Sequence, residues 1–135
     1  MAFYEHGEFS LAINDNRLDI DAVGPFNREV IADYDQQLQR FADRMPTSLC
    51  KGLLTLHGMS LFTPDAEQAL VECLLRWKRL PWYNAVLIDD VQGKAVLKQQ
   101  LGRCYDKTGI TYAFFDDRNE ALHWLSQQDD ARQAI

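Results

Sequence analysis

The chain is poor in three things that would each have pointed to a specific chemistry. It has only 3 cysteines among 135 residues, Cys50, Cys73 and Cys104, widely spaced and without a CxxC pair. An odd, scattered set argues against a disulfide framework and against a structural zinc site. The 3 histidines, His6, His57 and His123, form no ligand pair at helical spacing, so neither metal nor cofactor is expected. Basic residues are also short: 14 Lys and Arg face 20 Asp and Glu, for a formal charge of −6. A chain this acidic lacks the dense positive surface that a phosphate backbone requires, which excludes nucleic acid as an expected partner. No apolar run is long enough to span a bilayer. The opening MAFYEHGEFS lacks a basic region followed by an apolar stretch, and a reducing cytoplasm is the expected compartment.

What remains is the composition of an ordinary globular chain, 47% apolar and 25% charged, long enough to bury a core without covalent staples. No linker, low-complexity tract or charge block divides it, so one domain over residues 1–135 is expected. FSLAI and RLDIDAV alternate apolar and polar positions around NDN, a turn sequence that tolerates positive φ, and so read as a β-hairpin. After Gly24 and Pro25, the residues Val30, Tyr34, Leu38, Phe41 and Met45 recur at steps of three and four. They predict a helix capped by Asn27 and stopped by Pro46. A strand-then-helix pattern then repeats three times. GLLTLHG precedes a helix capped by Thr63 with Pro64 at its first position, and its stripe is Ala66, Leu70, Cys73, Leu74 and Trp77. NAVLIDD, apolar on both faces, predicts a strand covered above and below. A helix from about Gly93 to Tyr105 follows, then ITYAFF and a last helix carrying Ala121, Leu122 and Leu125. The order is β-β-α-β-α-β-α-β-α: an α/β fold with a mixed sheet, a leading hairpin and helices packed around it.

Chemistry could sit in four aspartates. Asp89–Asp90 and Asp116–Asp117 each follow an apolar strand, and such carboxyl ends are where open α/β sheets place ligands. Asp117 stands three residues before Glu120, the spacing of a capping box, and Asp89 and Asp90 precede a helix start near Gln92. Helix capping is the expected role of all of them. Ser60 or Thr63 beside His57 sketches a nucleophile and base, but GMSLF lacks the G-x-S-x-G elbow that exposes a catalytic serine. No enzymatic activity is expected. Trp82 and Tyr83, in LPWYN, are candidates for lining a pocket or a protein contact.

These residues carry a resemblance. The closing YAFFDDRNEALHWL, with Glu120, Ala121, Trp124 and Leu125, resembles the terminal signature of STAS-like bacterial proteins, relatives of the anti-sigma-factor antagonists. VGPFNREVIADYDQQL is similar to the lead-in to that family's first helix, and LPWYNAVLIDD to its fourth strand. The resemblance spans nearly the whole chain. It implies a non-enzymatic regulatory or binding module that engages a protein partner, with a homodimer also among the expected partners. Phospho-regulated members carry an Asp-Ser-Ser-Gly turn where this chain has Thr63, Pro64 and Asp65, so a kinase-driven switch is not expected at Thr63. Members of this kind have also been compared with lipid-binding domains, which makes a small apolar ligand the alternative. The surface this implies for partner or ligand comprises His57, Ser60, Thr63, Asp65, Trp82 and Tyr83.

Overall fold

A computed structural model describes residues 7–14, 16–46, 48–77 and 82–133. Two strands, β1 (Glu8–Asn14) and β2 (Arg17–Val23), form the leading hairpin, antiparallel and in register from Glu8 opposite Val23 to Asn14 opposite Arg17. Three strand-helix units follow β2 and α1 (Arg28–Ala42): β3 (Lys51–Gly58) with α2 (Pro64–Trp77), β4 (Tyr83–Val91) with α3 (Lys94–Thr108), and β5 (Thr111–Phe115) with α4 (Arg118–Gln133). The sheet runs in the order β1-β2-β3-β4-β5, parallel from β2 onward. The mixed sheet with its hairpin is the architecture that the sequence predicts.

The two-faced apolar pattern of β3 and β4 divides the core. Leu54, Leu56, Val86 and Ile88 join the helices α1, α2 and α3 on one face. Their chain neighbours Leu53, Ala85 and Leu87 point the other way, against Ala121 and Leu125 of α4. Burying a leucine of this kind contributes about 2 kcal/mol, enough to hold α4 in place through few residues. Its start is fixed by Asp117, whose carboxylate accepts from the Asn119 amide at 2.8 Å. The cap is as predicted, although the bond falls on the second helical amide rather than the third.

Two expectations about helix ends are corrected. Asn27 caps α1 as predicted, accepting from Val30 N at 2.9 Å, but the helix ends at Ala42, four residues before Pro46. The Arg44 amide turns back to the Phe41 carbonyl and the Met45 amide to that of Ala42, tightening the last turn into i→i+3 bonds. Met45 is therefore carried off the helix. Asp89 and Asp90 do not cap α3: both belong to β4, and the residue ahead of α3 is Gly93, in the left-handed conformation with no side-chain cap. Gly109 ends α3 at φ +76, in the left-handed conformation that glycine takes most readily.

Candidate functional site

The predicted surface residues fall at two opposite ends of the sheet. At the carboxyl end of β3, His57 bridges neighbouring strands. Its Nε2 lies 2.6 Å from Asp21 Oδ1 and its Nδ1 3.1 Å from Asp90 Oδ2. A register shift between β3 and β4 past Thr55 and Leu87 sets Asp90 directly opposite His57 and passes over Asp89. Partial burial disfavours the imidazolium, but the hydrogen bonds and charges of Asp90 and Asp21 outweigh it and raise the pKa above the usual 6.5. With both ring nitrogens engaged by carboxylates, His57 is a clamp across β2, β3 and β4 rather than a general base.

Ser60 is fully buried. It donates to the His57 carbonyl at 2.6 Å and accepts from the Gly24 amide at 3.2 Å, so its hydroxyl is committed to holding two connections together. Thr63 caps α2: its hydroxyl donates to Asp65 at 2.5 Å and accepts from the Ala66 amide at 3.3 Å. That hydrogen bond to Thr63 is the main cause that lowers the Asp65 pKa. Replacing Thr63 with Val is expected to cost about 1 kcal/mol in chemical denaturation, through loss of the cap. Intact-mass analysis of native protein is expected to show no phosphate that the Val variant loses.

The four aspartates do not assemble. Asp90 faces His57, Asp116 binds Lys94 Nζ at 2.7 Å, and Asp117 caps α4. Among the described residues no group of three or more His, Cys, Asp or Glu is arranged to hold a metal ion. The cysteines are buried, and burial pushes the Cys73 and Cys104 thiols up to about 12, which leaves them unreactive.

The His57 clamp has a pH signature. Because its pKa is raised on folding, its stabilisation is complete below about 6.5, the unfolded value, and is lost as pH rises through the folded value. The side chain is 39% exposed, so the contribution is at most about 1 kcal/mol. Urea denaturation of wild type and His57→Gln at several pH values is expected to show the gap closing as the solution becomes alkaline. A pH-independent gap would reject the clamp.

Between β1–β4 and the α1–α3 layer lies a cavity of about 160 Å³, whose lining runs from Phe62 after β3 to Trp82 before β4. Its half-buried wall residues include Ala42 at the end of α1 and Met45 beyond it, Leu74 and Trp77 in the last turn of α2, and Trp82 just before β4. Trp82 lines the space. Tyr83, the next residue, faces the opposite side of the sheet toward α4. Three polar side chains in the wall were not singled out from sequence: Tyr34, Asn84 and Tyr105, all more than nine-tenths buried. Asn84 Nδ2 donates to Tyr105 Oη at 2.8 Å. Asn84 is the one polar residue in the otherwise apolar start of NAVLIDD, a signal that was there to be read. Its side chain is accommodated by Gly52, its register partner on β3, where a Cβ would stand 2.8 Å from Asn84 Oδ1.

No protein-family profile matches the sequence, and no curated protein does. Among solved structures, the chain is similar to an uncharacterized protein from the DUF3478 family of Shewanella loihica PV-4, described as having a SpoIIAA-like fold. The two superpose with a TM-score of 0.66 over 93% of this chain and 98% of that one, at 16% identity. The fold is SpoIIAA-like. The STAS-like architecture implied by the closing signature is therefore present, and at this identity the likeness speaks for the fold alone. No described helix is long and apolar enough to cross a membrane.

Proposed function

We propose that this chain is a non-enzymatic module of SpoIIAA-like fold that holds a small apolar ligand between its sheet and the α1–α3 layer. The observation that carries this reading is the cavity itself. Protein interiors are packed nearly as tightly as organic crystals, and an unfilled space this large sacrifices dispersion contacts along its whole lining. An apolar guest restores them. The expected test is native mass spectrometry of protein purified from its own cell, paired with an Ala42→Phe variant. Ala42 is half-buried in the wall, and a phenyl ring there would occupy the space. A retained small molecule that is lost from the variant supports the reading. A clean apo mass, with no small apolar compound raising thermal stability, counts against it.

A second reading, engagement of a protein partner, is favoured by a different observation. Met59, in the β3–α2 connection, is 46% exposed and lies beside Leu61 and Gly93, and Val96 in the first turn of α3 is 47% exposed. Large apolar side chains exposed on a connecting loop and at the start of a helix suit a protein contact. Cross-linking in cell extract with wild-type and Met59→Glu protein separates the two readings. An adduct absent from the Glu variant supports the contact, and identical adducts remove it.

A further inference from the structure

The wall of the cavity is not uniformly apolar: Tyr34, Asn84 and Tyr105 place two hydroxyls and an amide in it, and no charge. None of the residues that line it is Lys, Arg, His, Asp or Glu. A charged guest would therefore lose its hydration without gaining a counter-ion, which costs several kcal/mol or more. The guest is neutral.

What the wall does offer is hydrogen-bond donors. The Tyr34 hydroxyl has no hydrogen-bond partner among the described residues, although the side chain is only 6% exposed and lines the space. Its ring is held rigidly, stacked on Phe9 at 4.4 Å between centroids. Tyr105 Oη receives the Asn84 amide, which takes up an acceptor position on the phenol and leaves its own proton to donate. Burial raises the pKa of both phenols, so each stays protonated. Asn84 Oδ1, the acceptor among these side chains, lies beside Gly52, where a Cβ would stand 2.8 Å from it. Trp77 Nε1 is already spent on Asp35, outside the cavity.

From this arrangement we infer that the cavity selects a small, uncharged molecule bearing one acceptor oxygen (a ketone, aldehyde or ester), bound by the hydroxyls of Tyr34 and Tyr105. Its size follows from the volume. A dry cavity of about 150 Å³ accepts benzene, so the guest here has roughly six to nine non-hydrogen atoms. This inference rests on the reading of the cavity as a ligand site and adds the chemistry of the ligand.

Three probes of equal size test it: cyclohexanone, methylcyclohexane and cyclohexylammonium. Trp77 and Trp82 line the space, so intrinsic fluorescence reports occupancy, with thermal shift as a second readout. Cyclohexanone is expected to bind about tenfold tighter than methylcyclohexane, the effect of one or two neutral hydrogen bonds. Cyclohexylammonium is expected not to bind. In Tyr34→Phe the ketone loses most of that advantage while the hydrocarbon keeps its affinity. This variant is the clean one, because the Tyr34 hydroxyl supports nothing else in the fold and the empty protein should be no less stable. Tyr105→Phe is expected to act in the same direction. Equal binding of ketone and hydrocarbon, unchanged by Tyr34→Phe, would overturn the selectivity and leave the apolar site standing. Failure of both neutral probes to bind at their solubility limits would overturn the site as well.

Discussion

Gly24→Ala is expected to lower stability by about 3 kcal/mol, roughly 10 °C in melting temperature for a domain of this size. Gly24 lies where the connection from β2 to α1 crosses the connection from β3 to α2. A Cβ there would come within 2.4 Å of the Met59 carbonyl oxygen and 2.5 Å of Ser60 Cα. Both are backbone atoms, so no side-chain rotation relieves the overlap. The two connections must part, and several bonds between them are strained together. The Gly24 amide gives its proton to Ser60 Oγ, Phe26 N bonds to the Leu61 carbonyl at 2.9 Å, and Thr63 N bonds to the Phe26 carbonyl at 3.0 Å. Urea denaturation is the appropriate measurement: the midpoint should fall while the slope is unchanged, because the surface exposed on unfolding is nearly the same. A loss below about 1 kcal/mol would mean that the crossing is looser than described.

The second large effect is expected at the Asn84–Tyr105 pair. Tyr105→Phe removes the only partner found for Asn84 Nδ2 among the described residues and leaves a buried amide unsatisfied, at a cost of about 2 kcal/mol. Asn84→Leu removes the donor instead. The phenol, which keeps its proton and can still receive a guest or a water, suffers less. Combining the two substitutions replaces a polar pair by an apolar one, so the double variant should be more stable than the sum of the single losses predicts. A double-mutant cycle in chemical denaturation is expected to give a coupling of about 1 kcal/mol or more. Strict additivity would show that the hydrogen bond contributes nothing to the fold. It would also take away the reason for treating Tyr105 as a fixed donor.

Much of the architecture was legible because local physics wrote it. Asn27, Thr63–Pro64 and Asp117 begin helices for reasons contained within four residues of chain, and each does so in the structure. The end of α1 was not legible in the same way. Phe41 and Met45 continue the helical spacing past Ala42, but Met45 is taken instead into the cavity wall, a preference set by distant elements. The candidate site fared similarly. His57, Ser60, Thr63 and Asp65 do stand together on one connection, but as a clamp, a pin and a cap, and Trp82 and Tyr83 lie at the other end, facing opposite sides.

The sequence by itself determined the element order, the hairpin, the strands buried on both faces and the caps at Asn27, Thr63 and Asp117, because periodicity and capping act between residues close in the chain. The tertiary structure alone decided that Asp90 rather than Asp89 meets His57, since a register shift between two strands chooses between adjacent residues. It alone also decided that a cavity exists. Tyr34, Asn84 and Tyr105 come from α1, β4 and α3, and nothing in the spacing of such residues reports that the helices above them leave a space unfilled. A void is a property of how whole surfaces fit, and no single segment of the chain carries it.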